Sequence, residues 1–520
     1  MCFLRSAPKT IYLLFMKKLL ILPIVAIVSI IIYYFIRIFF FFEADYNFWD
    51  SLFAVLLLIG ETYMIIHAFG FMINVLKING KKVPYRMKKL EDGEYPEVAV
   101  IVAAKHEPEE VLERTFITLK SMDYPNFKIY LLDGSTKSKF IDQNKNLVKK
   151  YGIHYFHPNE YHGAKAGIIN DFIQNAYEKY LAVFDADQNP LPDFLKKVVS
   201  IAEYNKNIAF VQTPQFYSNI QSSPIAKGST LQQAVFYESI CEGKNTNNAM
   251  FCCGTNVLFR TDALREVGGF DETSITEDFA TSVKLHTKGY KSVYYNHARV
   301  FGLAPESLAA YFKQQYRWSA GTVGVFKKLI YALIKNPRSL SLGQWWEYFL
   351  SSTYYLVGIA FFLLMISPIA YLIFNVPSYF VSPEVYIFTF VPYFVLTLLV
   401  FYGIMKKRKY KINEVYNGII LASVSFPILM QSVFLSLIGK KFTFDITPKG
   451  GTSKIPFIKL WPWTTMLILN SIAIYFGITK ISNNQYAVGV NMFWCIYHMF
   501  IISHVYYLNS LKTNYKRYSI

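Results

Sequence analysis

Carboxylates at the ends of apolar runs carry most of the chemistry open to this chain. Leu181-Ala182-Val183-Phe184 reads as a buried strand that delivers Asp185 and Asp187, one residue apart, to an exposed end. Two hard oxygen donors so placed suit Mg²⁺ or Mn²⁺, which keep positions open for substrate phosphates. Taken alone, the pair reads equally as an acidic turn. A second run, Phe127–Leu132, ends in Asp133-Gly134-Ser135, either a site carboxylate or an Asp-Gly turn. In Ile275-Thr276-Glu277-Asp278, Thr276 suits a helix cap and Glu277 the positive helix end. In Gln314-Gln315-Tyr316-Arg317-Trp318, Arg317 can grip a diphosphate in two places and Trp318 can stack on a sugar ring. Arg and Trp also favour headgroup depth, so a membrane-surface reading competes.

The elements around these residues set their geometry. Val98–Val102 reads as a strand, a helical stretch follows at Glu109–Met122, and Phe127–Leu132 is the next strand. Strands alternating with helices predict a parallel sheet, whose ligands bind at the carboxyl ends of the strands. That polar region, from about Glu94 to Lys328, is long enough for one large domain. It is flanked by apolar runs at 19–42, 50–76, 349–374, 385–405, 415–438, 460–479 and 487–508. Runs of about 20 apolar residues call for a bilayer. The expected layout is therefore 1–90, two transmembrane helices; 91–330, the globular domain; and 331–520, a second membrane region.

Charge fixes the orientation. The N-terminus carries Arg5, Lys9, Lys17 and Lys18 ahead of a run too long for a signal peptide, which reads as a retained anchor. Phe42-Glu43-Ala44-Asp45 has no basic residue, whereas Lys77–Lys89 is strongly basic, which places the globular domain in the cytosol. Asn375–Glu384 lacks Lys and Arg and belongs outside; Lys406–Lys411 returns inside. The 415–438 run has basic flanks on both sides and Pro427 in its middle. It is expected to be an interfacial or re-entrant helix, leaving six crossings and both termini inside. The net charge of +18 comes from Lys and Arg beside the apolar runs, so it marks membrane flanks rather than a nucleic-acid partner. The 18% aromatic content fits a compositional bias as well as it fits a sugar-lined path. The five cysteines show neither zinc-like spacing nor a secreted disulfide framework and point to a reducing compartment.

The order Asp-Gly-Ser, DxD, TED and QxxRW resembles the processive family-2 glycosyltransferases, and most of all the catalytic subunit of bacterial cellulose synthase. Hyaluronan and chitin synthases are more distant likenesses. His162-Gly163-Ala164-Lys165-Ala166-Gly167, Phe251-Cys252-Cys253-Gly254-Thr255 and Ser274 through Trp318 also fit. Beyond the membrane runs, Phe444-Asp445-Ile446-Thr447-Pro448-Lys449 resembles the family's FxVTxK gating loop, with Ile for Val. The resemblance implies a GT-A fold, a Rossmann-like α/β domain, inserted in a helical membrane domain of about six crossings plus interfacial helices. Asp133 would contact the nucleotide, Lys165 the phosphates, and Asp185 and Asp187 the nucleotide and metal. Asp278 would be the general base. Gln314 and Arg317 would bind donor diphosphate, and Thr447 and Lys449, in a loop at 440–454, would reach it when that loop closes. Trp318, Cys253, Gly254 and Glu277 would form the acceptor side.

The implied activity polymerises a UDP-sugar, with UDP-glucose into a β-1,4-glucan leading, and passes the polymer across the cell membrane. The alternatives are a β-1,3-glucan, chitin- or hyaluronan-type synthase, or a non-processive transferase acting on a lipid carrier. The implied partners are the UDP-sugar, the growing polysaccharide and the bilayer; no accessory protein is legible. The sequence departs from the family at Lys105-His106-Glu107, where Tyr-Asn-Glu is usual, and at Leu132-Asp133, where two aspartates are usual. The first change removes a tyrosine from the place where the base would stack. The tail after the last apolar run is expected to leave no room for a cyclic-nucleotide-binding domain.

Overall fold

The computed structural model describes residues 9–80, 86–297, 299–440 and 454–511. Phe444–Lys449, and with it Thr447 and Lys449, lies outside the described residues.

Two long helices come first, α1 (Lys9–Glu43) and α2 (Phe48–Gly80). A sheet of seven strands follows: β1 (Val98–Ala104), β2 (Phe127–Asp133), β3 (His154–Phe156), β4 (Tyr180–Asp185), β5 (Ile208–Gln212), β6 (Val257–Arg260) and β7 (Lys291–Tyr294). Their order across the sheet is β3-β2-β1-β4-β6-β5-β7. The central strands are apolar throughout because both faces are covered. Val98, Val100 and Val102 pack into one layer with Tyr180, Ala182 and Phe184. Ala99 and Ile101 pack into the other with Leu181 and Val183, the strand period of two dividing each run between the layers.

The parallel register brings the carboxylates together. β1 pairs with β2 on one side and β4 on the other, so Ala104 faces Asp133 and Ala103 faces Asp185. The chain winds outward from β1 through β2 to β3 and then returns to add β4 on the other side. That reversal is the switch point where open α/β sheets bind ligands. The expected all-parallel sheet is corrected at β6, which runs antiparallel to β4 and β5. The amino end of an antiparallel strand lies beside the carboxyl ends of its neighbours, so β6 brings residues 253–256 to the same edge. A small second sheet joins residues 189–190, 300–302 and 216–217.

Five helices frame this edge or lead from it: α3 (Ala164–Asn175), α4 (Pro224–Val235), α5 (Glu277–Thr287), α6 (Leu308–Lys335) and α7 (Leu342–Thr353). The described residues beyond α7 form mainly helices: α8 (Val357–Phe374), α9 (Pro383–Lys407), α10 (Ile412–Val424), α11 (Phe426–Leu437), α12 (Trp461–Ser482) and α13 (Gly489–Ser510). Among the described residues, six stretches are long and apolar enough to cross a membrane: 20–43, 48–78, 342–374, 383–407, 457–482 and 486–510.

The 415–438 run forms α10 and α11, bent by 46°. Pro427, in the first turn of α11, brings no N–H to the break. The break is held from α12, where Trp463 Nε1 donates to Val424 O at 2.8 Å, and from within, where Ser425 Oγ donates to Leu421 O at 2.8 Å. α10 lies on α4, where Gln232 Nε2 donates to Gly418 O at 3.2 Å. α11 lies on α6, its Ser432 and Ser436 hydroxyls donating to Tyr316 O (2.9 Å) and Ala320 O (3.0 Å).

Candidate active site

β4 ends on Asp185, whose side chain stays 44% exposed, and the turn after it carries Asp187. The backbone there is fixed from β6: Thr255 Oγ1 accepts from Asp185 N at 2.9 Å, and Asn256 N donates to Val183 O at 2.8 Å. Lys165, in the first turn of α3, pairs with Asp185 and donates to Gly254 O at 2.7 Å. Burial pulls the Lys165 ammonium down, but Asp185, Glu277 and Asp278 outweigh it, so its pKa lies above the ordinary lysine value.

Glu277 and Asp278 open α5, and Asp278 Oδ1 accepts the Phe279 N–H at 2.7 Å. Both carboxyls are pushed well above the usual range, first by burial. Asp278 adds to the effect on Glu277, and Asp185 to that on Asp278. Lys165 opposes both shifts without cancelling either. The approach of β6 to this pair requires a glycine. Gly254 has φ +82°, and a Cβ there would stand 2.9 Å from Asp278 Oδ2. Lys165, Asp185, Gly254 and Asp278 therefore converge, though they are far apart in sequence.

The QxxRW residues sit on α6, where Gln314, Arg317 and Trp318 are spaced to share one face. Gly321, one turn further along that face, lies against the α5 loop, and a Cβ there would be 2.9 Å from Thr276 N. The absent side chain thus lets the Gln314–Trp318 face pack toward Thr276-Glu277-Asp278. Gln314 Oε1 is buried with no hydrogen-bond partner among the described residues.

Asp133 is the last residue of β2, so the strand runs one residue further than expected, and it is fully buried. Its oxygens accept from Ser135 N at 2.9 Å and Tyr155 OH at 2.8 Å. In this structure Asp133 shapes the strand-end loop. Burial pushes the Cys252 and Cys253 thiols well up, which disfavours their thiolates. Cys253 N donates to Gln212 Oε1 at 2.9 Å, and Cys252 N to Ser282 Oγ at 2.8 Å.

Three supporting residues had little sequence signal. Gln212 is fully buried at the end of β5 and donates to Thr213 O and Thr255 O, both at 2.8 Å. A polar residue closing an apolar strand was the one hint. Thr255 stood inside a quoted motif without a role. Tyr161 lies under Lys105 Nζ, 3.9 Å from the ring centre, and a Cβ at Gly134 would touch its edge at 3.1 Å. An aromatic ring therefore stands at this strand end although position 105 is not aromatic.

A separate cavity of about 750 Å³ lies among α1, α2, α8, α9 and α13. Tyr386, Phe390, Tyr393, Trp494 and Tyr497 line it, with Glu61, Asn491 and His498 as polar points. At its edge Arg37 Nε donates to Glu61 Oε2 at 2.6 Å, and Tyr33 OH to Glu61 Oε1 at 2.5 Å.

Comparison with known proteins follows the same lines. Residues 180–405 match the model of glycosyl transferase family group 2. The UDP-forming cellulose synthase catalytic subunit of Pseudomonas fluorescens is 28% identical over 87% of this chain and 62% of its own length. A UDP-forming cellulose synthase catalytic subunit of Dictyostelium discoideum is 36% identical over 48% of this chain and 24% of its own. The chain thus spans less than two thirds of these relatives. A mannosyltransferase from Pyrobaculum calidifontis, solved with GDP-Man and Mn²⁺, superposes with a TM-score of 0.54 at 15% identity, covering 76% of this chain and all of that one. That likeness carries the GT-A fold.

Proposed function

We propose that this chain is a family-2 glycosyltransferase, processive and inverting, that polymerises UDP-glucose into a β-1,4-glucan and passes the product across the membrane. One observation carries the reading. Gly254 brings β6 against Asp278 while giving its carbonyl to Lys165, which in turn pairs with Asp185. A base and the groups suited to a diphosphate thus share one edge.

The mechanism is a single displacement. Asp278 accepts the proton of the acceptor hydroxyl as its oxygen attacks the anomeric carbon, which turns an α-linked donor into a β-linked product. Its raised pKa suits a base working near neutral pH. Lys165 and Arg317 are the cations available to the departing diphosphate. Trp318 offers its indole face to the acceptor sugar, and Cys253, Gly254 and Glu277 border that side. Asp133, at the end of β2, would contact the nucleotide.

Asp185 and Asp187 would hold Mg²⁺ or Mn²⁺. The fit is electrostatic: Asp185, Glu277 and Asp278 all act on the Lys165 ammonium, and the Glu277 and Asp278 carboxyls, raised first by burial and then by neighbouring carboxylates, stay raised despite it. When bound, the ion supplies Lewis-acid stabilisation of the leaving diphosphate.

The aromatic cavity supports translocation, since flat rings with a few polar points suit a sugar polymer. The divisions 1–90, 91–330 and 331–520, a cytosolic catalytic domain in the plasma membrane and a non-crossing α10–α11 pair belong to the same reading. The packing of α10 and α11 on α4 and α6 supports the last of these. Thr447 and Lys449 would close over the donor.

The test offers purified protein a panel of UDP-sugars and determines the linkage and length of the product. A long β-1,4-glucan from UDP-glucose is expected. A single transferred sugar would exclude processivity, and no UDP release from any donor would exclude the enzyme.

A further inference from the structure

His162, three residues ahead of Lys165, stands between two carboxylates that the mechanism above does not use. Its Nδ1 lies 2.7 Å from Glu272 Oε2, and its Nε2 lies 3.1 and 3.2 Å from the two oxygens of Asp171. A neutral imidazole has one N–H and one lone pair, so against two carboxylates one nitrogen would meet repulsion. Only the imidazolium donates to both.

We propose that His162 is a positioning residue which, as the imidazolium, locks the loop presenting Lys165 to the loop that leads into Glu277 and Asp278. The inference rests on the catalytic reading of those residues.

The two loops are fitted to each other around this ring. Gly163 and Ala164 both take left-handed backbone, at φ +56° and +52°. The Glu272 carboxylate fills the place a Cβ on Gly163 would need. Asn170, in α3, donates to Glu272 Oε1 at 2.7 Å and to Phe270 O at 3.0 Å, and it accepts from Phe270 N at 2.8 Å. The charged groups around the ring are Asp171 from α3 and Glu272 from the opposite loop, with Lys284 of α5 acting on Glu272. Asp271, next along that loop, is held by Lys328 of α6 at 2.8 Å and Lys284 at 3.8 Å. Lys165 and Asp278 are thus set by two loops whose joint is ionic and half-exposed.

Hydrogen bonds to Glu272 first, then Asp171, raise the His162 pKa above the ordinary imidazole value. A raised histidine holds its contribution below the ordinary value and loses it as pH rises through the folded pKa. The clamp is therefore closed from weakly acid pH, where both carboxylates are ionised, to near neutrality, and opens on the alkaline side. Because the joint is exposed, salt weakens it.

Two measurements on the full-length protein in detergent test this. Hydrogen exchange over residues 268–276 compares wild type with His162→Gln at each pH, so intrinsic exchange cancels. At pH 6.5 the variant should exchange at least about threefold faster, and the difference should vanish near pH 9. Donor KM for UDP-glucose should rise about threefold in wild type across that range. In His162→Gln it should stay at the high value throughout, with kcat little changed. Asp171→Asn should behave like His162→Gln. Equal exchange in variant and wild type at pH 6.5, or a wild-type KM profile in the variant, overturns the clamp. If no donor is turned over but the exchange difference appears, the catalytic reading fails and the clamp stands.

Discussion

Two charge clusters, about as unlike as one chain can make, divide the work of this molecule. Among the membrane helices, one cation meets one anion: Arg37 gives Nε to Glu61 and Nη2 to Ser378 O at 3.2 Å, and lies 4.3 Å over Tyr379. At the strand ends, three carboxylates meet one lysine, and two stay raised in pKa. A balanced pair inside a bilayer holds helices together, since each charge answers the desolvation of the other. An unbalanced cluster at a sheet edge is kept at a cost in stability and is completed by what it binds. The two clusters differ in charge count as well as in burial.

Breaking the unbalanced cluster should cost most. Asp278→Asn keeps the shape but cannot take the proton, so transfer should fall by about 10²–10⁴-fold. UDP binding, followed by calorimetry, should hardly change. Near-normal turnover would remove Asp278 as the base.

Breaking the balanced pair should appear in stability. Glu61→Leu strands Arg37 and should cost about 3–5 kcal/mol, read as a lower unfolding midpoint. Arg37→Met added to it should recover most of the loss. If the double variant is no better than the single, the two charges do not act as a pair.

Asp187→Ala should weaken dependence on Mg²⁺ or Mn²⁺ and raise donor KM on the order of tenfold, through loss of a hard ligand. Full wild-type activity in excess chelator would sink the metal-dependent mechanism. Trp318→Ala should slow chain extension by about tenfold, the worth of one good aromatic contact. Donor hydrolysis to free UDP needs no acceptor platform and should suffer less; equal losses would move Trp318 to donor binding or packing.

The smallest expected effect is a shift in pH profile. Since burial and like charge raise Asp278, the base is protonated, and idle, at pH values where an ordinary carboxylate near 4 is already ionised. The acid limb of kcat/KM should sit above that value. Lys165→Gln removes an opposing cation and should move the limb further up. A limb unmoved by this change would mean that Lys165 does not face Asp278 in the working enzyme.

The sequence determined the order of the parts and the residue types of the site. Long apolar runs require a bilayer wherever they occur, so six of the seven became long apolar helices. The seventh carried its own warning in Pro427 and its basic flanks, and it is broken in the structure, although only packing on α4 and α6 decided its shape. Val98–Val102 and Leu181–Phe184 were legible because a strand covered on both faces leaves a continuous apolar run. Tertiary structure alone decided which way β6 runs, since pairing direction depends on what the chain does between strands. That direction brings Gly254 to Asp278 and Thr255 to Asp185. It also decided that Asp133 turns inward, because one more residue of pairing with β1 keeps it within the strand. The His162 bridge was out of reach of sequence for the same reason. Its two carboxylates are separated by 101 positions along the chain (171 to 272), and only folding makes them neighbours of one ring.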